Sequence, residues 1–531
     1  MKWVWTPDKA SGAASRAAWL MFSVAALFWI VFIAAGSPNL GGTDAFIFRD
    51  PGCNCAAGQG LVSDSVPTNG AILPQESFAA YTPGAPLLFA PAARLFGCSS
   101  YVDTYYNFFL LLLLSVLILC FYFRFEERPG RRLLAALIVG ATLPGGLFLT
   151  NLDRPETIGL VVAFSLIYLW RNDRSGLAKV LLLGSTGALF LIHPYIGIVE
   201  FLLFVFLLVW SPAAKSKPGV IAGGALLAAA IVAGCAAYMQ HLDPTTLHRF
   251  LSHALGAGTG AGAVLKGQSA NANKGLLHNY AAAGKRYFNA ANLLSAVPLL
   301  MLLCSLGVIA LYLAKKRTEN AKKRDALQLG CLFCILFLFP AAVFLPQRNY
   351  FAASSALLFA VITSAGYSLS DRMRHTRAPL LLLVVAVFFS LPAFSLRLIA
   401  TREFKASYLR SSEQAARVKK IFGAQGDPQP RLLIDPTHFF VYKPYFEYLY
   451  NYQYLRPEDS TSEFQGLVRC YTGELAFSRS ELAWPAPLHK SDWKLIDGDA
   501  GVERTTLFGH PIQRRNWSWA CDVYERKNAK P

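Results

Sequence analysis

Long apolar runs separated by short polar segments dominate the chain up to about residue 400. The first, Ala17–Gly36, carries no charge and is long enough to cross roughly 30 Å of hydrocarbon as a helix. Ten more follow: Asn107–Phe123, Leu133–Thr150, Thr157–Trp170, Val180–Ile192, Ile196–Trp210, Val220–Met239, Asn292–Ala314, Leu327–Leu345, Phe351–Leu369 and Pro379–Leu396. Three of them (Thr157–Trp170, Val180–Ile192 and Ile196–Trp210) fall short of the usual ~17 residues, so their helices must extend into flanking residues, as around His193–Pro194. The pattern predicts an all-α polytopic membrane protein with about eleven transmembrane helices. No Ala-x-Ala cleavage pattern follows the first run, which is therefore expected to be a retained anchor.

Three polar pieces are long: 37–106, 240–291, and everything after Arg397. The last holds an amphipathic stretch (Phe404–Phe422), a strand-like Arg431–Asp435, and alternating and aromatic segments up to Tyr524. It predicts a small α+β domain, so the expected division is a membrane domain over 1–400 and a tail domain over 401–531.

Composition agrees with this reading, since 54% of residues are hydrophobic, only 15% are charged and mean hydropathy is +0.37. A net charge of +18 suggests nucleic acid until the positions of the charges are considered. With the N-terminus cytoplasmic, the cytoplasmic segments carry 3, 4, 3, 2, 6 and 3 Lys+Arg, while the short opposite loops carry only Arg154 and Arg348. This is the positive-inside distribution, so nucleic-acid binding is not expected. An odd number of spans then places 37–106, 240–291 and the tail on the outer side.

Cysteine usage fits an oxidising outer compartment. Cys120, Cys235, Cys304, Cys331 and Cys334 lie in apolar runs, where a thiol behaves as a small hydrophobe. Cys470 can pair with Cys521 in the tail, and Cys98 with either Cys53 or Cys55 in the first loop; the sequence leaves that choice open.

Candidate chemistry gathers at the outer ends of the runs. Asp44 lies a few residues past the first run, where a carboxylate could deprotonate a hydroxyl or simply cap a helix beginning at Ala45. Asp153-x-x-Glu156 reads as a helix-start capping box with Pro155 in the first turn, or as a binding segment with Arg154. His193 precedes Pro194 at a helix break, where it could stabilise the turn or contact a ligand. Arg348, alone at an outer boundary, suits phosphate through its fixed fork, or could snorkel to the interface. The second long loop has Gly256-Ala-Gly-Thr-Gly-Ala-Gly262 and then Lys266-Gly-Gln, which departs from a phosphate-binding P-loop because Lys266 is followed by Gly. It reads as a basic flap for anionic head groups or as a plain linker.

The order of these pieces resembles the GT-C glycosyltransferases, particularly bacterial relatives of protein O-mannosyltransferases and the lipid A aminoarabinose transferase. Asp44, Tyr81-Thr-Pro83-Gly-Ala-Pro86-Leu-Leu and Arg94-Leu-Phe-Gly97 follow that family's first-loop pattern. Arg154-Pro-Glu156, His193-Pro-x-x-Gly197 and Arg348-Asn-Tyr350 then resemble its later segments. The acidic neighbour usual after the first Asp is replaced by Ala45, and Asp50 is the available substitute.

The resemblance implies an inverting transferase in a bacterial inner membrane, taking a sugar from a polyprenyl-phosphate carrier without a metal or other cofactor. Asp44, or Asp50, would be the catalytic base. Tyr81, Arg154, Glu156, His193, Lys266, Arg348 and Tyr350 would bind substrates, and the acceptor would be a glycan, a lipid or a protein. Two other classes fit the topology: a lipid or glycan transporter, and a non-catalytic assembly component that presents the tail. The lack of a clear internal repeat and the nearly charge-free centres of the runs count against a transporter.

Overall fold

The structure, a computed structural model, describes residues 9–36, 48–63, 76–77, 83–125, 128–149, 155–170, 175–210, 217–242, 408–424, 430–435, 438–452, 455, 461–472, 484, 488–498, 506–507, 510–511 and 519–527. Chain contacts divide the molecule into two units. One comprises Met1–Val31, Phe108–Thr150 and Pro155–Ser395; the other comprises Phe32–Asn107, Asn151–Arg154 and Leu396–Pro531. The first polar loop therefore groups with the tail, not with the helices that flank it in sequence. Within that unit the Asp50–Lys443 ion pair and the Gln59–Glu447 hydrogen bond tie the first loop to the tail.

In the first unit the helices match the apolar runs. They are α1 (Lys9–Gly36), α4 (Ser100–Phe125), α5 (Pro129–Leu149), α6 (Glu156–Leu169), α7 (Gly176–Ile192), α8 (Pro194–Trp210) and α9 (Lys217–Leu242). Two described stretches, Ser100–Cys120 and Pro218–Tyr238, are long and apolar enough to cross a membrane by length and composition. The four runs beyond Asn292, and the loop at 240–291 apart from the end of α9, lie outside the described residues. The total of eleven helices thus stays an expectation.

Side-chain contacts fix the helix directions. Trp19 of α1 meets Phe123 of α4 edge-on at 5.5 Å. Arg132 at the start of α5 donates to Ser15 Oγ of α1 (2.8 Å) and to the Phe123 carbonyl (2.9 Å). Farther along, Trp29 Nε1 donates to the Gly140 carbonyl at 3.2 Å. The start of α1 thus meets the end of α4 and the start of α5, so α5 runs parallel to α1 and α4 antiparallel to it.

A second group packs equally closely. Trp170, at the end of α6, stacks on Phe204 of α8 at 4.4 Å, while Gly159 at the start of α6 faces Ile196 at the start of α8, so these two run parallel. Gly187 of α7 lies against Ala228 of α9, where an added Cβ would come within 2.6 Å of the Ala228 carbonyl oxygen. Small residues at such positions let helix backbones approach in lipid.

The second unit begins with α2 (Asp50–Ala56), a two-stranded pair of β1 (Val62–Ser63) and β2 (Glu76–Ser77), and α3 (Gly84–Phe96). The tail contributes a helix over 408–424 (α10), the short α11 (Phe439–Tyr442) and a five-stranded mixed sheet. Its strands β3 (Leu432–Ile434), β4 (Leu449–Asn451), β5 (Gly466–Thr472), β6 (Trp493–Gly498) and β9 (Trp519–Arg526) lie in the order β4-β3-β5-β9-β6. Strand β3, flanked by β4 and β5, is buried on both faces, as its unbroken Leu-Leu-Ile predicts. Leu432 and Ile434 pack with Val418 and Phe422 of α10, while Leu433 faces Phe464 and Trp493. β7 (Thr506–Leu507) and β8 (His510–Pro511) form a separate small hairpin.

Candidate functional site

Asp44, Tyr81, Arg154, Lys266, Arg348 and Tyr350 lie outside the described residues. Phe48 and Arg49 follow Asp44 closely, and both are buried. The Arg49 guanidinium, 1% exposed, donates to Asp103 Oδ1 at 2.6 Å and to Asn107 Oδ1 at 3.0 Å. Asn107 in turn donates to Asp103 Oδ2 at 3.0 Å. The same guanidinium lies over the rings of Phe89 (4.7 Å) and Tyr106 (5.2 Å). A buried charge survives only when it is paired and hydrogen-bonded, and here carboxylate, amide and two π-faces supply this. Arg49 is thus pinned, within the second unit, to the first turns of α4.

Asp50 is buried, and its Oδ1 forms an ion pair with Lys443 Nζ of the tail at 2.8 Å. Lys443 also donates to Asn54 Oδ1 (3.2 Å) and to the Glu447 carbonyl (3.3 Å). The Cys53–Cys98 disulfide joins α2 to the residues between α3 and α4, and Cys55 is free. The pairing that the sequence left open is thereby assigned to Cys53. Gly52 fits where a Cβ would meet the Pro86 carbonyl oxygen at 2.9 Å, so α2 and α3 pack backbone to backbone.

In the tail, Cys470 and Cys521 occupy facing positions on β5 and β9 and form a disulfide. His438 lies against them, all three ligand atoms being within 4.8 Å of one another. With both sulfurs in the bond, the trio offers no thiolate to a metal. Burial holds the His438 imidazole down at about 3. Tyr452 donates to Asp435 Oδ2 at 2.8 Å; burial first, then the Asp435 charge, pushes its hydroxyl far above the ordinary range.

Glu156 opens α6, with Pro155 at the N-cap position and no side-chain cap, so the helix starts two residues later than the expected capping box with Asp153 as cap. A proline's fixed φ, here −77°, suits helix entry. His193 is buried between α7 and α8, and its Nδ1 accepts from the Ile196 N–H at 3.4 Å. Its ring caps the start of α8, the turn-stabilising role weighed for it. A Cβ on Gly159 would lie 3.4 Å from the His193 Cβ, so the segment opened by Pro155-Glu156 and the His193-Pro194 break meet in space.

Glu200 lies in α8, 0% exposed, with neither carboxylate oxygen hydrogen-bonded among the described residues. Its signal in the sequence was plain: it is the one acidic residue within the run Ile196–Trp210. An ionisable group inside an apolar helix is rare enough to be noticed.

No protein family and no curated protein matches the chain. Among the solved structures that resemble it are two of ArnT from Cupriavidus metallidurans. The apo structure is 12% identical over 94% of this chain and 98% of that one, with a TM-score of 0.49. The structure bound to undecaprenyl phosphate is 11% identical over 95% and 97%, with a TM-score of 0.43.

Proposed function

We propose that this protein is a membrane glycosyltransferase that moves a sugar from a polyprenyl-phosphate carrier to an acceptor at the outer face of a bacterial inner membrane. The observation that carries the reading is the meeting of two ordered motifs: the segment beginning Pro155-Glu156 packs at Gly159 against His193 and Ile196. The resemblance ordered these motifs along the sequence, and the helix pair brings them together. The pinning of the chain just after Asp44, by the fully buried Arg49, gives further support.

Asp44 is the base in this scheme. Asp50 is not, because its carboxylate is held by Lys443 in a buried ion pair. Asp44 takes the proton from an acceptor hydroxyl, whose oxygen attacks the anomeric carbon. The bond from that carbon to the phosphate oxygen breaks with inversion, and polyprenyl phosphate leaves. Arg348 and Arg154, helped by Lys266, would stabilise the charge developing on the phosphate. Tyr81, Glu156 and Tyr350 would border the substrates, while His193 fixes the turn at its helix break.

Replacing Asp44 by Asn, in membranes supplied with a labelled polyprenyl-phosphate sugar, should lower transfer by roughly 10²–10⁴-fold at unchanged abundance, as loss of a general base does. Transfer at the wild-type rate would remove Asp44 from the mechanism. A carrier reading has one observation in its favour, the buried Glu200. Movement of labelled lipid across liposomes with no glycosylated product would favour it.

A further inference from the structure

Between α2 and the residues following α11 lies a cavity of about 410 Å³ that none of the roles above uses. Its size is in the range of small-molecule sites. Both walls belong to the second unit: Asn54 and Gln59 come from the first loop, Lys443 and Glu447 from the tail. Most of the surface is apolar. Its lining includes the Cys53–Cys98 disulfide and the exposed Pro444.

The polar groups of the rim are unequal in what they can still bind. Lys443 has three ammonium protons, and Asp50, Asn54 and the Glu447 carbonyl receive them. Its charge is compensated by Asp50, so it offers little to an incoming anion. Asn54 directs its amide to the Val62 carbonyl at 3.0 Å. Gln59 and Glu447 are different. Gln59 Nε2 donates to Glu447 Oε1 at 3.3 Å, which leaves the second carboxylate oxygen and the Gln59 carbonyl oxygen as acceptors at the mouth. The cavity thus joins a mostly apolar lining to two acceptor oxygens and a carboxylate that has no cation partner among the described residues.

We infer that this cavity binds a sugar ring that carries hydroxyl or amino groups and no anionic group. The C–H face of such a ring would lie on the disulfide and Pro444, and its hydroxyls would donate to Glu447 and Gln59. A phosphorylated sugar would meet the Glu447 carboxylate and is disfavoured. The inference rests on the glycosyltransferase reading and deepens it: the tail supplies half of an acceptor-side subsite, separate from the phosphate-bearing donor.

The test uses the full chain in lipid nanodiscs with both disulfides intact. Maltose, glucosamine and glucose 6-phosphate are titrated and followed by saturation-transfer NMR. Maltose and glucosamine should bind with dissociation constants on the order of 1 mM, and glucose 6-phosphate at least ~10-fold more weakly, as expected for a like charge. Glu447→Lys should reverse the preference in favour of the phosphate. Gln59→Ala, at an exposed position, should weaken maltose at least ~3-fold through one lost hydrogen bond. Three results would overturn the inference: no binding of either uncharged or amino sugar to the wild type, tighter binding of the phosphate, or preferences unchanged in both variants. Asp44→Asn should leave these titrations as they are. Loss of the transfer prediction with sugar binding retained would therefore count against the transferase reading alone.

Discussion

Arg49 shows how one side chain can set the position of a loop. Its guanidinium, Asp103 and Asn107 form a closed set in which each charge has a partner, and Phe89 and Tyr106 exclude water from it. Removing one member of a buried pair costs about 3–5 kcal/mol, because the partner is left charged and unsolvated. Arg49→Met should therefore lower the thermal midpoint sharply and reduce transfer with it. Adding Asp103→Asn to that variant removes the orphaned charge and should restore much of the stability. If the pair only stabilises the fold, transfer should recover in step. If it positions Asp44, kcat should stay low while stability returns. A full double-mutant cycle read by thermal midpoint and by kcat separates the two, and additive stability losses would mean that the ion pair contributes nothing.

At the level of helices and strands, the glycines of α7 and α9 make the packing argument testable. A Cβ on Gly187 would meet Ala228 backbone atoms at 2.6–3.1 Å, and a backbone cannot rotate away as a side chain can. Gly187→Ala should thus cost about 1–3 kcal/mol as overpacking does. Gly234, on α9, has no described atom within 4 Å of its added Cβ, and Gly234→Ala should be neutral or slightly stabilising. Equal thermal midpoints for the two variants in detergent would contradict the α7–α9 contact. Elements of this kind were readable from the chain because their causes are local. Apolar length marked the helices, the strand-like Arg431–Asp435 contained β3, and the amphipathic Phe404–Phe422 overlapped α10. What was not readable depends on distant partners. Nothing in the spacing of Cys53 and Cys55 decides which meets Cys98. Nor does any local signal tie Asp50 to Lys443, nearly four hundred residues away, so Asp50 looked like a spare catalytic carboxylate. Glu200 is the reverse case, a local signal that hydropathy averaging passed over.

Across the whole molecule, the positive-inside charge pattern and the two disulfides make one joint prediction. Cys53–Cys98 and Cys470–Cys521 lie in the same unit, one in the first loop and one in the tail. Bonds of this kind persist in oxidising compartments and not in the cytosol. The sparse Lys and Arg of the short loops at Arg154 and Arg348, set against the basic segment Lys315–Arg324, together with an odd number of spans predict the same side for the first loop and the tail. Intact cells carrying Cys55→Ser, which removes the free thiol of the first loop, treated with a membrane-impermeant maleimide should show these four cysteines unlabelled until an impermeant phosphine reductant is added, and labelled afterwards. Labelling without the reductant would mean the bonds are absent in the cell. Failure to label even after reduction, with labelling restored on permeabilising the membrane, would put the loop and tail inside. That outcome would remove Asp44 from the outer surface and the transferase scheme with it, because both rest on the same orientation.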